Sequence, residues 1–170
     1  MDRKESATWL CYYTLSKYHE NIEPYRGREE EFHRFFSPYQ VIKGEGNCLL
    51  NSGIDEMWDL VTGAVSGADH IFDNSHAQIG VGDSSTAADA TQTDLQGTNK
   101  TYKGMETGYP TSTNQKATFK ASFGASEANH AWNEWVVKQS TSGKCLNRKV
   151  ENLGTKSSGT WTLEVSITLS

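Results

Sequence analysis

A thiol held beside an imidazole and an acid makes a nucleophile, and Cys48 with His70 or His130 is the combination in this chain that invites such a test. Cys48 falls in an apolar pattern, where an inert core thiol is the expected state. Two carboxylates flanking a glycosidic bond can hydrolyse it, and Glu127 and Glu134 lie close to Trp132 and Trp135. Asp83, Asp89 and Asp94 could offer oxygens to a cation, but they lack the fixed ligand spacing of a calcium loop. The five histidines, His19, His33, His70, His76 and His130, show no HExxH or similar ligand spacing. Gly80 and Gly82 flank Val81 as in a phosphate loop, yet no Lys-Ser or Lys-Thr opens a helix behind them. They read as glycines at a tight strand exit. No catalytic residue, metal or cofactor is expected from this set.

Trp132 and Trp135 could stack on sugar rings or fill a core. Three residues apart in a strand, they face opposite sides, so one flat platform cannot use both. Core is the favoured reading, with one of the two available to a partner subunit.

The elements that must carry these residues are mostly strands. Trp161 to Ser170 alternates without exception, with Trp161, Leu163, Val165, Ile167 and Leu169 against polar neighbours. Burying five such side chains is worth on the order of 10 kcal/mol before ordering costs. Thr8 to Tyr18 is aromatic and β-branched on both faces, which predicts a strand buried on both sides. Arg26 to Phe36 is charged, with Phe32, Phe35 and Phe36 at helical spacing, and reads as a short surface helix stopped by Pro38. Asn47 to Gly63 reads as a helix with Leu50, Ile54, Met57 or Trp58, and Val61 on one face, Asn47 as cap and Gly63 as terminator. Further strands are expected at Ala77 to Gly82, Thr118 to Phe123, Ala128 to Lys138 and Cys145 to Val150. Between the first two, Asp83 to Gly97 has the composition of a loop holding a helical turn or two. The expected class is mainly β: an antiparallel sandwich or barrel with one packed helix and an N-terminal arm. The expected division is residues 1–44 as arm, edge strand and charged segment, and residues 45–170 as the β-rich domain.

A chain of 170 residues is one domain's length, and its net charge of −5 argues against a nucleic-acid partner. Residues 1–44 hold seven Lys or Arg and seven Asp or Glu, whereas the rest is rich in Ser, Thr, Gly, Asn and Gln. No apolar run approaches membrane-spanning length, and Met1-Asp2-Arg3-Lys4-Glu5 does not open a signal peptide, so synthesis in the cytoplasm and no membrane partner are expected. The three cysteines, Cys11, Cys48 and Cys145, are odd in number and far apart, and read as small buried apolar residues rather than a disulfide or zinc framework.

Gly46-Asn47-Cys48-Leu49-Leu50-Asn51-Ser52-Gly53-Ile54, followed by Ala77-Gln78-Ile79-Gly80-Val81-Gly82-Asp83-Ser84-Ser85-Thr86-Ala87-Ala88, resembles a family of small virion structural proteins of tailed bacteriophages. Tyr102 to Met105 with Gly108-Tyr109-Pro110, Phe119 to Phe123 with Glu127-Ala128-Asn129 and Trp132 to Trp135, and Leu146 to Val150 with Gly154-Thr155-Lys156 extend the resemblance over residues 44–170. It implies a structural role. Such proteins are called tail-fibre-like, head-decoration or simply structural, and some resemble cement proteins that coat the expanded capsid. The function expected is therefore capsid decoration: a non-enzymatic protein on the capsid surface, made in the host bacterial cytoplasm, that binds the major capsid protein. The resemblance also implies a homo-oligomer, a trimer or dimer. Alternatives are a tail- or fibre-associated protein and a carbohydrate-binding adhesin. Because aromatic and Arg residues dominate interface energetics, the expected contacts are Trp9, Tyr12, Tyr13, Tyr18, Tyr25, Arg26, Arg28, Phe32, Arg34, Phe35 and Phe36.

Overall fold

The computed structural model describes residues 7–170, so the reading of Met1 to Glu5 lies outside the described residues. The alternating terminal segment forms β10 (Thr160–Leu169), paired on one side with β1 (Trp9–Tyr18) and on the other with β7 (Lys116–Phe123). Leu163 lies across from Leu15 and Ala121, and Val165 across from Tyr13 and Phe119, so the period-two pattern of all three strands points to one face. Adding β2 (Gln40–Glu45) and β6 (Thr111–Thr113) gives a five-stranded antiparallel sheet in the order β2-β1-β10-β7-β6. The second sheet runs β3-β9-β8-β4-β5, from β3 (Cys48–Leu49), β4 (Ala77–Gly82), β5 (Lys100–Gly104), β8 (Ala131–Gln139) and β9 (Cys145–Thr155). The two inner faces enclose a core of Tyr13, Leu15, Phe123, Trp132, Trp135, Trp161 and Leu163 with their neighbours. The mainly β sandwich is thus the observed class.

Four details differ from the sequence reading. First, β1 is neither an edge strand nor buried on both sides. Cys11, Tyr13 and Leu15 are buried, whereas Leu10 and Tyr12 on the other face are 41% and 49% exposed. Strands β1 and β2 belong to the sheet itself, so the described part of the expected arm, residues 7–44, is not separate from the sandwich as a whole. Among the described residues up to 44, the stretch 19–39 leaves the sandwich, and it holds a short 3₁₀ turn and α1 (Glu29–Phe35).

Second, α2 (Asn51–Thr62) begins four residues after Asn47, because the Asn47 side chain accepts a bond from the Trp9 indole (3.0 Å) and Cys48–Leu49 pairs with β9. Gly63, at φ 72°, ends the helix as expected. Third, α2 turns Gly53 and Glu56 to the protein and leaves Ile54, Trp58 and Val61 outward, 37%, 63% and 74% exposed. A Cβ at Gly53 would meet the Leu146 backbone at 2.6 Å, so glycine there is what lets the helix lie on β9. Fourth, Trp132 and Trp135 both point into the core. A bulge between Trp132 and Glu134 shifts the register and cancels the odd spacing. Trp132 meets Phe123 and Trp161 edge-on, and Trp135 meets Tyr13 edge-on at 5.5 Å.

Candidate interface

Residues 19–39 fold back over the outer face of the first sheet at the Tyr18 end of β1. Thr160 Oγ1 accepts from the Ile22 amide (2.9 Å) and donates to the Glu20 carbonyl (2.8 Å), which starts the excursion. Tyr18, Ile22 and Phe32 then bury one another, with Tyr25 and Phe36 against them. Beneath α1, the His33 ring lies between the Tyr18 hydroxyl (3.2 Å) and the buried Glu106 carboxylate (2.8 Å). Ser122 also donates to Glu106, and Lys120 stands 3.6 Å away. Burial alone would raise the Glu106 carboxyl, but His33, Lys120 and Ser122 outweigh it and hold the group below the usual carboxylate range.

The expected contact residues divide on this frame. Tyr13, Tyr18 and Phe32 are buried at 2%, 6% and 0% exposure, so they support the fold and are withdrawn from the contact set. Tyr13 also donates its hydroxyl to Glu151. Arg26 is spent internally, donating to the Ser122 carbonyl (2.9 Å), Glu23 (2.7 Å) and Glu127 (3.0 Å). Trp9, Tyr25 and Phe36 are half-buried. Four of the set reach solvent freely: Tyr12, Arg28, Arg34 and Phe35, with Phe35 60% exposed and the Arg34 guanidinium 5.0 Å over its ring. Sequence reasoning missed three exposed apolar residues beside them, Leu10, Tyr39 and Val41. Their signal was the period-two alternation of the partner strands, since Leu10 and Val41 occupy outward positions opposite a filled inner face.

None of the candidate chemistry residues come together as a site. Cys48 faces its neighbour's carbonyl (3.7 Å), His70 bonds Glu56 (2.8 Å), and His130 bonds Thr101 (3.1 Å). Asp83 is bonded by Asn99, Asp89 by Thr91, and Asp94 by Tyr102 and Lys138. Cys11 and Cys145 are buried, and burial pushes each thiol up to about 12, whereas Cys48 is half-buried rather than enclosed.

Glu127 pairs with Arg26 and Lys103 on the surface, while Glu134 is sealed against Arg148, both side chains fully buried (2.7 Å). This pair binds the irregular stretch 83–99 to the outer face of the second sheet. Glu134 accepts from the amides of Ser84 (3.4 Å), Gln96 (2.9 Å) and Gly97 (2.6 Å). Arg148 donates onward to the Gln92 side chain and the Thr86 carbonyl, each at 2.9 Å. Leu95 closes over Val136, Cys145 and Leu50. The stretch holds no helical turn, in contrast to the sequence expectation. Gly80 and Gly82 are small for this reason and not for a strand exit: a Cβ would strike the Tyr102 ring or the Glu134 carboxylate. Strings 46–54, 77–88, 132–135 and 146–150 therefore meet in one latch.

No family model, curated protein or solved structure matches the chain. Among the described residues no helix is long and apolar enough to cross a membrane, and no cluster of His, Cys, Asp or Glu has the geometry of a metal site.

Proposed function

We propose that the protein is a virion structural protein of the tailed-bacteriophage type, a capsid decoration protein that binds major capsid proteins and stabilises the head. The reading is supported by the resemblance of residues 44–170. One observation carries it into the structure: four of the strings bearing that resemblance, 46–54, 77–88, 132–135 and 146–150, converge on the Glu134–Arg148 latch, a buried ion pair that ties the 83–99 stretch to the second sheet and is read as stiffening the domain. A stiff domain suits a mechanical role, because a docking surface fixed before binding loses little entropy on association. The exposed Tyr12, Arg28, Arg34 and Phe35, joined by Leu10, Tyr39 and Val41, supply the aromatic and guanidinium groups that anchor such contacts. A shell repeats each contact many times, so modest single interfaces add up to large resistance to bursting.

The adhesin alternative loses its platform, since Trp132 and Trp135 are both fully buried. The tail-associated alternative shares the structural role and differs in location. The test is the thermal stability of capsids assembled without the protein. Decoration predicts that they assemble and rupture at lower temperature, with robustness restored by adding the purified chain. Rupture at the same temperature with and without it would contradict the mechanism.

A further inference from the structure

The charge of the chain is distributed unevenly along its sequence. Residues 44–99 contain no Lys or Arg and nine Asp or Glu. Within this stretch lies the outward face of α2, where Ile54, Trp58 and Val61 are 37%, 63% and 74% exposed. At about 100° per residue the three fall within about 60° of one another on the helix, so they form one ridge. Beside the ridge on the same arc, Met57 and Leu60 reach into a cavity of ≈ 450 Å³ at the end of the sandwich, lined also by Trp9, Phe72, Ile167 and Leu169 and, on the side away from Asp55 and Asp59, by Lys116. The other flank carries Asp55 and Asp59, and no basic residue stands in the last turn to offset the negative end of the helix.

The charge decides among occupants. Two copies meeting ridge to ridge with their α2 helices antiparallel would oppose Asp55 and Asp59 to their own counterparts, which costs affinity. An anionic lipid surface is repelled for the same reason. A helix of another protein with an apolar stripe flanked by Lys or Arg satisfies both halves of the surface at once, the stripe meeting Trp58 and the cations meeting the aspartates. We propose that the Ile54–Trp58–Val61 face of α2 is a docking site for a cationic amphipathic helix of a partner protein. This face lies at the Trp9 end of β1, whereas α1 and its exposed Phe35 lie at the Tyr18 end, about 30 Å away along the strand. The two ends give the molecule separate contacts, the geometry of a bridge between neighbours. The inference does not rest on the capsid reading.

The test uses the purified full chain and two synthetic peptides of about 14 residues, four helical turns: an amphipathic Leu/Lys helix and its Leu/Glu counterpart. Binding is followed by calorimetry and by the blue shift of indole fluorescence, since Trp58 is the most exposed tryptophan. The Leu/Lys peptide is expected to bind in the micromolar range, and Trp58→Ser or Val61→Ser to weaken it about tenfold or more. Asp55→Asn with Asp59→Asn should weaken it and flatten its salt dependence, while Phe35→Ser at the other end should leave it unchanged. Thermal melts of each variant establish that the fold survives. Equal binding to Trp58→Ser and Val61→Ser, no binding at all, or equal binding of the Leu/Glu peptide would each overturn the proposal. So would concentration-dependent dimerisation that Trp58→Ser abolishes, which gives the face to a second copy. A positive result with capsids unaffected by the protein leaves this site standing and removes the decoration reading.

Discussion

Replacing Glu134 with Gln isolates what the latch does. The side chain keeps its size, but Arg148 is left as a charge at 0% exposure with no counter-ion, and an amide NH₂ replaces one of the two oxygens that receive the Gln96, Gly97 and Arg148 donors. Breaking one partner of a fully buried pair costs about 3–5 kcal/mol. For a domain of this size each kcal/mol moves the melting temperature by about 2–4 °C, so Glu134→Gln should lower it by about 6–20 °C. Replacing both residues with apolar ones, Glu134→Leu with Arg148→Met, removes the stranded charge. That double variant should therefore be more stable than the sum of its singles by about 0.5–3 kcal/mol. The local signature is amide exchange: Gln96 and Gly97, held by the carboxylate, should exchange far faster in Glu134→Gln while the β10 amides keep their order of protection. A melting temperature within about 2 °C of wild type, below the smallest shift the desolvation argument allows, with unchanged exchange at Gln96 and Gly97, would refute the reasoning.

Trp132→Ala empties a fully buried site and should cost about 3–5 kcal/mol, while Phe35→Ala, 60% exposed, should stay within about 0.5 kcal/mol; chemical denaturation of both separates core from contact surface. Glu106 has a folded pKa below its ordinary 4.5, so the stability it contributes is complete above about pH 4.5 and lost as pH falls through the lower folded value. Melting temperature should fall below that pH, and Glu106→Gln should show a shallower fall; parallel curves would contradict the assignment. Half-buried Cys48 should react with a thiol reagent before Cys11 and Cys145, whose burial pushes both up to about 12; mass spectrometry of partially labelled protein identifies the first site.

Where one periodicity dominated, the sequence was a sufficient guide. The alternation of Trp161 to Ile167 and of Phe119 to Phe123 identified the inner faces of β10 and β7, because strand geometry imposes period two locally. Leu169, the fifth member of that pattern, is 44% exposed because it lies at the strand end, where the sandwich opens. The tryptophans of β8 could not be placed by counting, because the bulge is set by pairing with β9, whose partner residues there lie 16 to 22 positions away in the chain (Glu134 opposite Val150, Trp132 opposite Gly154). The helix face was read inverted for a similar reason. Apolar spacing marks a stripe but not its direction, and Gly53, the residue that permits close approach to β9, carries no hydrophobic signal. The latch was invisible for a third reason: Glu134 and Arg148 lie in separate strands, and charged residues are presumed wet until a partner is found. In the contact set, Tyr13, Tyr18 and Phe32 were mistaken for surface because composition alone does not separate a buried aromatic from an exposed one.

The copy number of the protein in purified virions, measured against the major capsid protein, tests decoration most directly. The account predicts one copy per capsid subunit or a simple lattice fraction such as one third, as closed symmetric shells require. A few copies per particle, or none, would contradict it.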